Sequence, residues 1–360
     1  MRSICRLFAL SFSLALAACG LAAQQPAPQP TTAAQAPSRD TSYIDSDGTA
    51  HVTRVIALPE TVSPQARAML ARPMPDVGPP ETLAERRARN LEYQARSRKG
   101  WDAICPNHVV ESNIAGVPVH IVTPEAIPEA NRDKVLINLH GGGFNADSGS
   151  YIESIPIAVY ARMKVVSVMY GLAPEHPFPA AVDQAVAVYK ALLKSYKPEH
   201  MAIYGTSAGA IMTAEVAVKL KQLGLPLPAA LGIFSGMGDF ARNGDSSSIF
   251  SVHGLSGPLT PPSLPHDEYY VGKANPRDPV LSPLYADLHG LPPTLFVTAT
   301  RDMLLSGTVN LERAYLGAGV DAHLVVFDAL PHAFWYNPEL PESIEANHIM
   351  ANFFTRHLAK

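Results

Sequence analysis

Ala202-Ile-Tyr-Gly-Thr-Ser-Ala-Gly-Ala-Ile-Met212 sets one serine between two glycines, where an apolar run gives way to an Ala-rich one. Either Ser207 is a nucleophile on a tight strand-to-helix turn, or it is a small residue in an ordinary Gly-Ser loop. The five-residue pattern alone decides nothing, because chance places Gly-x-Ser-x-Gly in about one in ten chains of this length. Its surroundings have to decide.

Outward from that stretch, apolar runs recur at 117–122, 135–139, 165–170, 201–204, 230–234, 294–298 and 323–327. Helical patterns at 180–195, 208–223, 303–317 and 342–357 separate several of them. Continuous apolar runs mark strands covered on both faces, and helices between them mark right-handed crossovers. The fold class is therefore α/β, a mostly parallel doubly wound sheet. Residues 236–280 break the rhythm with Gly, Ser, Pro and His, and form an insertion contributing to a cap or loops over one end of the sheet.

Active sites in such sheets are built by loops at the carboxyl ends of the strands. Four stretches fall there. The first is the opening motif, in the strand-turn-helix context of a nucleophile elbow: Gly205 and Gly209 permit the turn, and Ala208 starts a helix with a free N–H. The second is His140-Gly-Gly-Gly-Phe144 after the 135–139 strand, whose glycines let backbone N–H groups face a developing oxyanion. A phosphate-cradling role fits poorly, since neither a Gly-x-Gly-x-x-Gly nor a Gly-Lys-Ser/Thr pattern is present. His140 is read as fixing this loop through hydrogen bonds. The third and fourth are Arg301-Asp302-Met303 and Pro331-His332-Ala333-Phe334. A neutral serine needs an imidazole to take its proton, and the imidazole needs a carboxylate to hold its tautomer. Ser207, Asp302 and His332 supply these in the order this fold uses. Asp328 is the rival acid, four residues before His332.

From about residue 60 onward the chain resembles the bacterial hormone-sensitive-lipase-like family of α/β-hydrolases. The carrying motifs are His140–Phe144, Leu172-Ala-Pro-Glu-His-Pro-Phe-Pro-Ala-Ala181, Gly205-Thr-Ser-Ala-Gly209, Asp302-Met-Leu-Leu-Ser306 and Pro331–Phe334. The resemblance implies an α/β-hydrolase fold and metal-free, cofactor-free hydrolysis of small carboxylic esters by Ser207, His332 and Asp302. It also implies an oxyanion hole from the N–H groups of Gly142, Gly143 and Ala208, with Gly141 supporting the loop, and a cap made partly of N-terminal helices. Three features depart from the family pattern: Gly171 where Arg is usual, Ala329 where Gly is common, and an export signal. Short-to-medium acyl chains are expected from the resemblance. A lactonase, amidase or acyl-sugar deacetylase would use the same site, and a non-catalytic binder on the same scaffold is the reading from another class. A homodimer is left open.

The N-terminus reads differently. Arg2 and Arg6 precede an apolar run too short to span a bilayer, giving residues 1–18 the anatomy of a signal peptide. Leu16-Ala-Ala-Cys-Gly20 resembles a bacterial lipobox, which implies lipid attachment at Cys19 and membrane association through that anchor. Gly20 in place of Asp points to the outer membrane; cleavage near Ala22-Ala23-Gln24 would instead release a periplasmic protein. Residues 19–41, rich in Ala, Gln, Pro and Thr, form a flexible tether. Residues 42–112 hold an N-terminal segment and cap helices. Within them 50–58 alternates like a strand, Ser63-Pro64 opens a short helix, and 81–99 is a charged helix. The catalytic domain is 113–360. Of three cysteines, Cys105 alone remains in the mature domain and is read as apolar filling. With 47% apolar and 17% charged residues and a net charge of −4, the composition is that of a globular chain, and no nucleic-acid partner is expected.

Overall fold

The structure is a computed structural model that describes residues 42–53, 56–72, 81–242, 244–250 and 269–358. The signal segment, the tether and Cys19 lie outside the described residues, as do residues 243 and 251–268 of the 236–280 insertion. The chain divides into two units, Met1–Ala57 and Leu58–Lys360. In the first, β1 (Tyr43–Ile44) pairs antiparallel with β2 (Ala50–His51). The strand read at 50–58 is thus two residues long. Val52 and Ile56 are exposed, so the alternation has no apolar surface to face.

In the second unit, Ser63 caps α1 (Pro64–Leu70), its side chain accepting from Ala66 N–H at 3.1 Å. α2 (Leu83–Ile104) starts at a capping box in which Thr82 and Glu85 each bond the other's backbone N–H. The helix outruns its charged segment because Trp101 is fully buried and its indole N–H donates to Tyr336 O at 3.1 Å.

The main sheet has eight strands in the order β10-β9-β8-β7-β5-β6-β4-β3. They are β3 (Asn107–Ile114), β4 (Val117–Pro124), β5 (Val135–Leu139), β6 (Lys164–Val168), β7 (Met201–Thr206), β8 (Ala230–Phe234), β9 (Thr294–Arg301) and β10 (Ala322–Pro331). Every pair is parallel except β3–β4 and β4–β6. The five-residue strands β5 and β8 are buried throughout, as their unbroken apolar runs require. One core packs α4 (Ala180–Leu192), α5 (Ala208–Gln222) and α7 (Leu305–Gly317) on one face of the sheet, with α6 (Asp245–Ile249) preceding α7. The other face carries α3 (Ser154–Ala161), α8 (Pro341–His357) and Trp101. α5 is buried on almost every side, so the segment after Ser207 is held as a rigid rod.

Register brings the site together. Leu139 of β5 pairs with Gly205 of β7, and Thr206 pairs with Phe234 of β8, so these strands end level. On β10, Phe327 pairs with Ala299 but Pro331 with Arg301, so β10 carries extra residues where β9 does not. This bulge delivers His332 beside the end of β9.

Candidate active site

Ser207 sits at φ 58°, ψ −121°, a strained conformation for a residue with a side chain. Its N–H donates to Phe234 O at 2.9 Å, tying the turn to the neighbouring strand. A Cβ on either Gly205 or Gly209 would run into the Leu139 carbonyl oxygen, so both flanking positions exclude side chains by close approach to β5. Thr206, to which the sequence assigned no chemistry, accepts a hydrogen bond from Trp335 Nε1 at 3.1 Å. It thereby joins the elbow to the segment that follows His332.

Asp302 is fully buried and accepts from His332 Nδ1 at 2.8 Å, Leu304 N–H at 2.9 Å and Thr298 Oγ1 at 2.9 Å, and also from Ser235 Oγ. Burial pushes its carboxyl upward. The His332 charge and the donated hydrogen bonds outweigh that and hold it below the usual carboxylate value. An ionised carboxylate only accepts, so Nδ1 of His332 carries the proton and Nε2 is left as the basic nitrogen. The rival acid is elsewhere: Asp328 is exposed and accepts from Thr61 and Thr300 hydroxyls. Ser207 Oγ makes no hydrogen bond to His332 among the described residues. Bonds of this kind tighten on substrate binding in many hydrolytic sites. Asp302 and His332 follow the paired strands β9 and β10, and Ser207 follows β7. The end of β8 between them links the two parts, Phe234 O accepting from Ser207 N–H and the adjacent Ser235 hydroxyl donating to Asp302.

The loop after β5 turns through Gly142 at φ 125° and Gly143 at φ 62°. A side chain on Gly142 would collide with the Ala146 backbone, which the loop folds back to bond, Ala146 N–H to Gly142 O at 3.2 Å. The N–H groups of Gly142 and Gly143 meet no acceptor among the described residues, and Ala208 N–H is the first unpaired donor of α5. His140 stacks on Tyr170 with ring centroids 4.2 Å apart, its Nδ1 donates to Gly141 O at 2.9 Å, and its own carbonyl accepts from Tyr170 Oη at 2.6 Å. It is part of the loop frame. At the far end of the loop Phe144 stacks on Tyr270, centroids 3.5 Å apart, and Tyr270 donates to the buried Glu215 of α5 at 2.6 Å. The insertion therefore reaches the site through Tyr270.

The N-terminal helix is clamped to the same loop. Arg87 of α2 donates to Asn145 O at 2.7 Å, to Ala173 O at 3.1 Å and to both Glu175 oxygens at 2.8 and 2.7 Å. These bonds hold the Glu175 carboxyl down at about 2. The departure at Gly171 has a steric reason: a Cβ there would lie 2.8 Å from the His176 ring. The departure at Ala329 carries strain instead, since Ala329 sits at φ 57° in the left-handed region that favours Gly. Cys105 is fully buried, as filling requires. Among the described residues, no three His, Cys, Asp or Glu side chains gather as a metal site would need, and no helix is long and apolar enough to cross a membrane.

Sequence reasoning missed several residues that build the site: Glu153, Arg87, Ser235, Trp335 and Tyr336. Glu153 had a signal, a single charge in the apolar run Ile152-Glu-Ser-Ile-Pro-Ile-Ala158. Its carboxyl is buried at the loop, and burial lifts it to about 7 against the hydrogen bonds it accepts.

An elbow serine, a buried Asp–His pair and unpaired loop N–H groups at the ends of a parallel sheet define a hydrolase of the α/β type, and the comparisons agree. The model of an α/β-hydrolase-fold family matches residues 136–336. An acetyl-hydrolase of Streptomyces hygroscopicus is 34% identical over 246 residues, covering 66% of this chain and 81% of that protein. The crystal structure of the esterase E25 superposes with a TM-score of 0.74 at 30% identity, over 85% of this chain and 97% of that one. An esterase described as belonging to the bacterial hormone-sensitive lipase family does so at 0.71 and 30% identity, over 82% and 99%. The chain belongs to the bacterial hormone-sensitive-lipase-like carboxylesterases of the α/β-hydrolase superfamily.

Proposed function

We propose that the chain hydrolyses carboxylic esters through an acyl-enzyme on Ser207. His332 Nε2 takes the Ser207 proton as Oγ attacks the ester carbonyl, and Asp302 stabilises the imidazolium that forms. The N–H groups of Gly142, Gly143 and Ala208 receive the tetrahedral oxyanion. His332 then protonates the leaving alcohol, and water activated by the same nitrogen releases the acid. The observation that carries this reading is the buried Asp302–His332 hydrogen bond of 2.8 Å, in a segment that Trp335 ties to Thr206, the residue before the strained Ser207 turn.

Small acyl groups are the proposed substrates, in keeping with the acetyl-hydrolase among the relatives. Ser207→Ala is expected to abolish hydrolysis of p-nitrophenyl acetate and butyrate with an unchanged melting temperature; full activity in that variant would overturn the mechanism. A screen of p-nitrophenyl esters from short to long acyl chains should give the highest kcat/KM for short ones, and a preference for long chains would contradict the substrate class. The Cys19 segment further supports export with a lipid anchor. Globomycin should leave the precursor unprocessed in wild type but not change a Cys19→Ala variant, and identical behaviour of the two would remove the anchor.

A further inference from the structure

One buried carboxylate beside the site has no part in the proposed reaction. Glu153 is 3% exposed on the turn leading into α3. Its Oε1 accepts from Gly141 N–H at 2.8 Å and from the Tyr336 hydroxyl. Its Oε2 accepts from Asn138 Nδ2 at 2.8 Å, and Asn138 Oδ1 in turn accepts from Ser167 Oγ at 2.7 Å. The donors thus come from β5, from the first glycine of the loop and from the short turn that follows His332. These parts are in close contact. A Cβ on Gly141 would lie 2.8 Å from Tyr336 Oη and 3.0 Å from the carbonyl oxygen of Thr206, the residue before the nucleophile.

We propose that Glu153 is a positioning residue: its carboxylate fixes the glycine loop against the His332 segment, so that the Gly142 and Gly143 N–H groups and His332 address one carbonyl carbon. This assignment rests on the Ser207–His332 reading above. Its physical basis is the difference between what the group costs and what it holds. The hydrogen bonds Glu153 accepts all come from neutral donors, and burying an ion on neutral donors alone is unfavourable. An apolar side chain would fill the space without that penalty, but it could not bond the Gly141 N–H and the Tyr336 hydroxyl together. Loss of the brace acts on geometry in the transition state, where a displacement of about 1 Å at an oxyanion donor costs up to about 100-fold. The remainder of the substrate contacts is unaffected, so the defect falls on kcat.

The test is steady-state hydrolysis of p-nitrophenyl acetate by four variants. Glu153→Ala should lower kcat by about 10- to 100-fold with KM unchanged. Glu153→Gln should recover to within about threefold of wild type. Its carbonyl still accepts from Gly141 and Tyr336, and its amide can donate to Asn138 once that amide and the Ser167 hydroxyl reorient. Tyr336→Phe removes one arm with little change of volume and should lower kcat by about three- to tenfold at constant KM. It keeps the proposal testable if Glu153→Ala does not fold. Wild-type kcat in a folded Glu153→Ala or Tyr336→Phe protein, a loss confined to KM, or a Gln variant as slow as the Ala variant would each overturn the positioning role. Ser207→Ala measured alongside separates the two claims. If it is inactive while the Glu153 and Tyr336 variants are as fast as wild type, the brace falls and the mechanism stands; if it is active, the mechanism itself falls.

Discussion

Two buried carboxylates flank the Ser207 elbow, and they are set in opposite directions. Asp302, at the end of β9, faces an imidazole and is held below the ordinary carboxylate value. Glu153, behind the glycine loop, is held by neutral donors and is raised to about 7. Each accepts several hydrogen bonds and each is out of water. What separates them is a counter-charge within bonding distance, which outweighs desolvation at Asp302 and is missing among the hydrogen-bond donors to Glu153. The same residue type can therefore serve as a permanent anion in the reaction or as a brace whose charge is only just tolerated.

The widest gap between the two should appear on neutralising each. Asp302→Asn leaves the shape of the site intact but favours the wrong His332 tautomer, and kcat for p-nitrophenyl acetate should fall by about 10³- to 10⁴-fold. An Asp302→Asn loss no larger than that of Glu153→Gln would erase the distinction. The second effect is on stability against pH, where the signs oppose. Glu153 binds protons more tightly folded than unfolded, so its contribution makes the protein less stable as pH rises from the usual Glu range to about 7. The drop is on the order of 3 kcal/mol at most, and Glu153→Gln should remove it in urea melts across that window. Asp302 is shifted downward, so its contribution is present above the ordinary Asp range and is lost as pH falls through its lowered folded value. A Glu153→Gln protein with the pH profile of wild type would contradict the contrast.

Smaller effects come from the elements around the two acids. Arg87→Ala releases α2 from Asn145, Ala173 and Glu175, and should lower stability by about 1–2 kcal/mol while loosening the glycine loop more than the Asp302 side. Hydrogen exchange should therefore rise at residues 141–147 and stay unchanged at 302–304. Smallest of all, Ala329→Gly relieves left-handed strain in the β10 bulge and should raise stability by up to about 1 kcal/mol, read as a higher urea midpoint. A loss of stability there would mean that the bulge gains more from its alanine than it loses in strain.

The side of the site built by Asp302 was legible from sequence, and the side built by Glu153 was not. Ser207 and Asp302 stand at the ends of strands whose unbroken apolar runs are buried, His332 follows the apolar run of the half-exposed edge strand β10, and the chemistry restricts which residue types can fill each place. Glu153 lies in no such frame. Its helix, Ser154–Ala161, is short, apolar on almost every side and without a side-chain cap, so neither period nor capping announces it. Strand β3 was hidden for another reason: it is an edge strand held by backbone pairing to β4 and mostly exposed, so Asn107-His-Val-Val-Glu-Ser-Asn-Ile114 needs no apolar run. The clamp of Arg87 on Glu175 joins residues 88 apart in the chain, and a charged helix gives no sign of which of its cations is bound. The 50–58 alternation misled in the opposite sense, because a pattern specifies a strand only where there is a core for one side to face.

The most direct test of the central claim is mass spectrometry of protein quenched in acid during turnover of p-nitrophenyl acetate, followed by digestion. Acyl-enzyme formation on Ser207 predicts one acetyl group on the peptide that carries Ser207, absent from Ser207→Ala and accumulating further in a variant slowed at deacylation. Turnover with the acetyl group on another residue, or undiminished turnover in Ser207→Ala, would contradict it.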